Sequence, residues 1–527
     1  MGRARLVRLA VAGTIAATIA APLTLANPRP VRAAASTSSV KPGTKEVLVN
    51  GSVFTGKGYL YWPSKIGTTL DVGTWADPTE CENDAQLLQG AGATLMRVSW
   101  DDNAPAFLSD YQQCAQSFFN HGIGFLWLIQ PPESSGSLPT MENDPQGFIS
   151  TYEPWIQQAV NDVKDWPATY MYSIGNELDG SINGTCSAAE PVWMGRAGGA
   201  AGVADALISY TKSLDSTHIV GTDVGACSEA QLSTANVPST DFWGIHPYGE
   251  SHDPGTGSSN YFTELSTPGT AQYTPKPVLV DEMGTDRYNC NGGGFGNGII
   301  CAYATSGEDQ AFQRSWDVQI WNNIAAALSS DTNPGNATFG GTYFMYSDLW
   351  WYSLAGFNPA TPEFHDVYGS TSGIGFGDGV ENFEWWGLTM ATTDSARRVT
   401  TQAFDGLAAL WSSNPQPTIS NASVNLSVQV PFSTCAATVS FDTAVAGNTE
   451  IYVGLDGRVL DSTGIYVVQD NTIYGPAGGD GTQETVHTNI PVIWNFVGAQ
   501  KYFVVIRSTT AAGMSATTAP IPIVANC

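Results

Sequence analysis

From residue 45 to residue 411 the chain alternates short apolar runs with stretches whose apolar residues recur every three to four positions. A strand buried on both faces reads as a continuous apolar run, and a helix laid over it shows the longer period. Strict alternation of the two points to a parallel sheet with helices outside it. The runs are Gly56–Trp62, Thr94–Trp100, Gly124–Ile129, Tyr170–Ile174, His218–Thr222, Phe242–His246, Val278–Glu282 and Thr342–Tyr346, eight in all. Helical patterns fall at Cys81–Gln89, Leu108–Asn120, Phe148–Lys164 and Gly202–Leu214. Another follows Ser306, with a stripe of Phe312, Trp316, Ile320, Ile324 and Leu328, and a last one covers Arg397–Trp411.

Eight such units in this span match a (β/α)8 TIM barrel with insertions, so the fold class expected is α/β. The rival, a doubly wound open sheet, often carries a glycine-rich phosphate loop, and neither G-x-G-x-x-G after a run nor G-x-x-x-x-G-K occurs. The texture changes after Trp411. Residues 412–418 read as a linker, and the alternating segments of 419–527, broken by Gly and Asn turns, predict a small β-sandwich.

Arg3, Arg5 and Arg8 precede an apolar run from Leu9 to Ala26, with small residues at Ala33–Ala35. That layout predicts a signal peptide over residues 1–35 and a secreted, extracellular protein with no membrane association after its removal. Eight cysteines agree with an oxidising compartment. Their proximity in sequence suggests Cys81–Cys114, Cys186–Cys227, Cys290–Cys301 and Cys435–Cys527 among the possible pairings. A net charge of −27 argues against nucleic acid and anionic lipid as partners, both of which select for Lys and Arg.

In a parallel barrel the active site lies at the carboxyl ends of the strands. The fourth run ends Ser173-Ile174-Gly175-Asn176-Glu177, and the seventh ends Val280-Asp281-Glu282-Met283-Gly284. Two carboxyls at one rim, from non-adjacent strands, are what glycoside hydrolysis uses: one protonates the leaving oxygen and the other attacks the anomeric carbon. Glu177 and Glu282 are therefore the candidate catalytic residues. Asp281 competes with Glu282, since neighbouring strand side chains face opposite ways and one alone can aim inward.

Asn176-Glu177 on strand four, together with a glutamate on strand seven, resembles the clan of retaining (β/α)8 glycosidases. Arg97 near the end of strand two, His246-Pro247-Tyr248 after strand six and Trp350 after strand eight are similar to the same pattern. Within the clan the first third, from Cys81-Glu82-Asn83-Asp84 through Met96-Arg97 to Tyr111-Gln112-Gln113-Cys114, resembles the β-1,3-glucanosyltransferases. Trp350-Trp351 and Glu384-Trp385-Trp386-Gly387 are similar instead to bacterial relatives, and Asp281-Glu282-Met283-Gly284 differs from the usual Ser-Glu-Tyr-Gly. The resemblance implies Glu177 as acid/base and Glu282 as nucleophile, favouring it over Asp281. It implies substrate-binding roles for Arg97, Asn176, His246, Tyr248 and Trp350, with Asn176 on the sugar 2-hydroxyl and Trp350 beneath the reacting sugar. Plainer readings stand beside these: a barrel salt bridge for Arg97, a core histidine at position 246, packing for Trp350.

The resemblance implies a polysaccharide or oligosaccharide substrate, β-1,3-glucan favoured, with a β-mannanase or β-1,4-glucanase of the same clan as alternatives. A non-catalytic carbohydrate-binding wall protein is the alternative from another class. No residue pattern calls for a cofactor or a metal: the histidines form no close pair in sequence, and no G-x-S-x-G elbow occurs.

Overall fold

The computed structural model describes residues 34–63, 77–100, 104–131, 140–179, 187–196, 201–248, 261–289, 307–349, 385–390 and 399–413, together with short strands between 292 and 370 and the strands of the C-terminal region. Eight parallel strands close into a barrel. In chain order, and named hereafter strands one to eight, they are Gly56–Leu60, Leu95–Trp100, Gly124–Ile129, Thr169–Asn176, Ile219–Val224, Phe242–Ile245, Val278–Val280 and Thr338–Tyr343. Strand eight pairs with both strand seven and strand one, which completes the ring. The expected α/β barrel is the fold observed.

Helices Pro78–Ala91, Leu108–Asn120, Pro145–Val163, Val203–Leu214, Gln310–Ala326 and Gln402–Trp411 accompany the strands. Their starts follow from local chemistry. Asp77 and Asp144 accept backbone N–H bonds at the first turn, each ahead of a proline at the entry of the helix. These side chains satisfy donors that have no partner within the helix, and proline there forgoes an N–H that would be unpaired anyway. Cys81 and Cys114 form a disulfide that ties the first helix to the second. Cys227 is also disulfide-bonded, to a partner outside the described residues. Cys186, Cys290 and Cys527 lie outside them too, as do the side chains of Cys301 and Cys435 and residues 1–33 of the 1–35 segment read as a signal peptide.

Two sequence expectations shift. The helix expected after Ser306 starts at Gln310, and its cap is Asp309, which accepts from Phe312 N. It turns Gln310, Gln313 and Asp317 inward beside Ile320, Trp321 and Ile324, leaving Phe312 and Trp316 only partly covered. Gln313 donates there to Thr285 O, and the main-chain carbonyl of Asp317 accepts from Tyr343 OH. Strand eight begins four residues before the expected run. Gly340 and Gly341 disguise it, yet glycine is required, because a Cβ at position 340 would stand 2.0 Å from Gly56 O and φ there is 141°.

The barrel floor is closed by an antiparallel sheet of Ser38–Val40, Val47–Val49 and Ser52–Phe54. Val47 and Val49 are buried against Leu95, Leu126, Met171, Ile219, Leu279 and Phe339, which lie at or near the starts of their strands. Ser38 N donates to Thr217 O, its hydroxyl donates to Tyr170 O, and Lys45 Nζ donates to Thr274 O. At the C-terminal side two antiparallel sheets follow residue 418. One holds Ile419–Val428, Thr434–Thr443 and Gln483–Pro491, and the other is centred on Gly447–Leu455 and Gln500–Thr509. The 414–418 part of the expected linker lies outside the described residues. Among the described residues, no helix is long and apolar enough to cross a membrane.

Candidate active site

The carboxyl ends of strands two, four, five, six and seven deliver one connected polar cluster. Strand four is bulged between Ser173 and Asn176, where its register against strand five slips. Gly175 and Glu177 both have left-handed backbones, φ 78° and 48°. A bulge re-aims the side chains that follow it, and a non-glycine residue held in this region costs about 1–3 kcal/mol that the surroundings must offset. Gly175 is needed there, since a Cβ would meet Leu178 Cδ1 at 2.5 Å. The strained residue is the one the sequence marked as acid/base.

Arg97 is buried at the centre of the cluster. Its Nη1 donates to Glu282 Oε1 at 2.6 Å, and its Nη2 to Asn176 Oδ1 at 2.5 Å and Asp223 Oδ2 at 2.8 Å. Nε faces Asp281 Oδ2 at 3.4 Å. Burial alone would weaken the guanidinium charge, but Glu282, Asp223 and Asp281 outweigh it and raise the Arg97 pKa further. The barrel salt bridge and the site are thus the same object.

His246 joins the two glutamates. Its Nδ1 lies 2.9 Å from Glu177 Oε1 and 3.6 Å from Glu282 Oε2, and Nε2 lies 3.2 Å from Asp281 Oδ1. Burial disfavours its cation, but Glu282, Asp281 and Glu177 more than compensate, so its pKa is well above that of a free imidazole. Two oxygens touching one nitrogen at 2.9 and 3.6 Å cannot stand more than about 6.5 Å apart. That bound lies at the bottom of the roughly 6.5–9.5 Å used with an intervening water and admits the roughly 5–5.5 Å of direct attack. The Glu177 side chain is 36% exposed and Glu282 is 12% exposed. The acid on strand four therefore stands nearer the solvent than the acid on strand seven.

The structure brings Arg97, Asn176, Glu177, His246 and Glu282 together. Tyr248 stands at their edge, its ring 6.5 Å from that of His246 and packed edge-on against Trp386 at 5.8 Å. Trp350 lies outside the described residues. Asp281, which rivalled Glu282, is fully buried beneath it. Arg287 braces the rim by a double ion pair to Asp348, 2.5 and 2.6 Å, and by donating to the carbonyls of Trp385 and Gly387.

Two acids escaped the sequence reading. Asp223 is the penultimate residue of strand five, one position past the expected terminus at Thr222, so the rule that examines strand ends stopped one residue short. Glu229 ends the short helix Ala226–Glu229 after that strand and accepts from His246 N and from Tyr261 OH. Burial pushes its carboxyl up to about 8, even though His246 pulls the other way. Nothing periodic marks it. Asp223, His246 and Asp281 place ligand-type atoms within 4.8 Å of one another. Arg97 already sets a positive charge against both aspartates, so the trio fits a cation poorly.

No family model matches the sequence, and no curated protein does. Solved structures similar to it include beta-glucuronidase 2 of Bacteroides uniformis at 15% identity and TM-score 0.46, with 92% of this chain and 47% of that one covered. A beta-D-glucuronidase of Dictyoglomus thermophilum matches at 16% identity and TM-score 0.44, covering 72% and 54%. A GH2 beta-galacturonidase of Eisenbergiella tayi matches at 15% identity and TM-score 0.44, again over 72% and 54%. The chain spans about half the length of the solved structures it matches.

Proposed function

We propose that this chain is a secreted retaining glycoside hydrolase acting on β-glucan, β-1,3-linked glucan favoured, with transfer to a second sugar as an alternative to hydrolysis. One observation carries the reading: Glu177 and Glu282, 105 positions apart in sequence, meet on the same nitrogen of His246. In the proposed reaction Glu282 Oε1 stays with Arg97, and Oε2 attacks the anomeric carbon as Glu177 delivers a proton to the departing oxygen. A glycosyl ester forms on Glu282 and the aglycone leaves as an alcohol. Glu177, now without its proton, takes one from water or from a sugar hydroxyl, and that oxygen displaces Glu282. Asn176 commits its oxygen to Arg97, so it offers a sugar hydroxyl its amide N–H.

The β-glucan preference and the transfer activity rest on the resemblance of residues 81–114 and on the Asn176-Glu177 pair. Incubation with laminari-oligosaccharides, mannan and β-1,4-glucan fragments separates the options: products longer than the substrate mean transfer, and cleavage confined to another polymer redirects the specificity. For the chemistry itself, a 2-fluoro glycoside should label the peptide containing Glu282 and Met283. Glu282→Gln should lower kcat by about 10⁴-fold or more while ligand still binds. A label on another peptide, or full activity in that variant, would sink the reading.

A further inference from the structure

We propose that Asp281 is the positioning residue of this site, one carboxyl that aims both halves of the reaction from below. The inference rests on the glycosidase reading and deepens it. Asp281 is fully buried, and its two oxygens address two different cations: Oδ2 faces Arg97 Nε at 3.4 Å and Oδ1 faces His246 Nε2 at 3.2 Å. Each cation carries one working glutamate on its far side. Arg97 holds Glu282 and His246 holds Glu177. An imidazole held at Nδ1 alone can pivot about that bond, and a carboxylate facing the opposite nitrogen resists the pivot. Arg97 is already held through Nη2 by Asn176 and Asp223, and Asp281 adds a charge facing its remaining nitrogen, Nε.

The arrangement needs space, and strand six provides it. A Cβ on Gly244 would lie 2.2 Å from Asp223 Oδ1 and 2.5 Å from Asp281 Oδ2. The carboxyls from strands five and seven thus approach each other across the one position of strand six that has no side chain. Two acids so close and so deeply buried resist ionising together. Burial and then Asp281 raise the pKa of Asp223. Asp223 in turn accepts from Ser173 and from Arg97. The groups facing Asp281 are then Arg97 from strand two, Asp223 from strand five and His246 from strand six, with Glu282 following it in the chain and Glu177 and Glu229 one layer away.

The test uses the full chain and a panel of dinitrophenyl and alkyl β-glycosides of glucose, mannose, galactose and glucuronic acid. In Asp281→Asn one of the two terminal oxygens becomes an NH2, so either Arg97 Nε or His246 Nε2 meets an N–H instead of an oxygen. We expect kcat on alkyl glycosides to fall about 100-fold with KM changed less than about threefold, the loss that a displacement near 1 Å brings. Dinitrophenyl glycosides, which leave without a proton, should lose less. The pH profile of kcat should change, because His246, which bonds the proton donor Glu177, loses a negative neighbour and its pKa falls. Gly244→Ala reaches the same carboxyls without altering any charge, and should lower kcat in the same leaving-group order. Thermal melting reports whether each variant is folded. If the wild type cleaves nothing and carries no 2-fluoro label, the glycosidase reading fails and this one with it. If Glu282→Gln is dead while Asp281→Asn keeps the kcat and pH profile of the wild type, the positioning role alone is overturned. Failure of both variants to fold would make the cluster architectural and would overturn it too.

Discussion

Glu229 shows how a single buried carboxyl can bias a whole fold against alkali. Its folded pKa, about 8, lies above the ordinary 4.5, so the native state binds more protons than the unfolded chain between those values. Stability that depends on this proton is complete below about pH 4.5 and is lost as pH rises toward 8. The effect is on the order of 3–5 kcal/mol for a shift of this size. Glu229→Gln keeps an acceptor for His246 N, places an NH2 that can donate to the Tyr261 hydroxyl oxygen, and removes the titration. Its melting temperature should decline less than that of the wild type between pH 5 and 8, and equal declines would rule out Glu229 as a source. Asp223 and His246 add slopes of the same sign, since both are raised, so the variant should flatten the curve only in part. At this scale the sequence was readable where an acid follows a strand end, as at Glu177 and Glu282, which the structure brings together on His246. It was silent where a buried acid serves a backbone N–H, because no spacing announces such a contact.

Among the elements, the first two helices depend on each other through Cys81 and Cys114, which close a loop with a sequence separation of 33. Chain-entropy reasoning puts the contribution of such a crosslink at about 3–4 kcal/mol. The double variant Cys81→Ser/Cys114→Ser should lose that much in urea unfolding, and a loss under about 1 kcal/mol would show that helix packing alone fixes the pair. The existence and order of these elements were legible from period alone. Their ends were less so, for physical reasons. Asp77, Asp144 and Asp309 decide the starts by capping, several residues ahead of the first buried apolar side chain. Strand eight hid behind Gly340 and Gly341, whose missing side chains make room for Gly56 and Met283. Gln313 turns inward against the apolar pattern because the loop carbonyls of Thr285 and Trp386 need a donor there.

For the molecule as a whole, 48 acidic against 21 basic residues leave a charge of −27. This field repels polyanions. The protein should pass through heparin or immobilised DNA at low ionic strength, and salt-sensitive retention would contradict that expectation. The cations that matter, Arg97 and His246, are sealed beneath the cleft and do not relieve the outer field. The closed barrel and the run of apolar strands that builds it were visible in the sequence, but the plug beneath it was not. Ser38–Val40 and Val47–Val49 are too short to show a period, and they matter only because the strand starts above them are apolar. That plug gives the protein a handle and a working end. Ser36, bonded to Pro167 O under the floor, sits at the pole opposite the carboxyl ends of the strands. An anchor attached at the neighbouring exposed Thr37 would leave the end of the barrel that carries Glu177 and Glu282 facing away from the support.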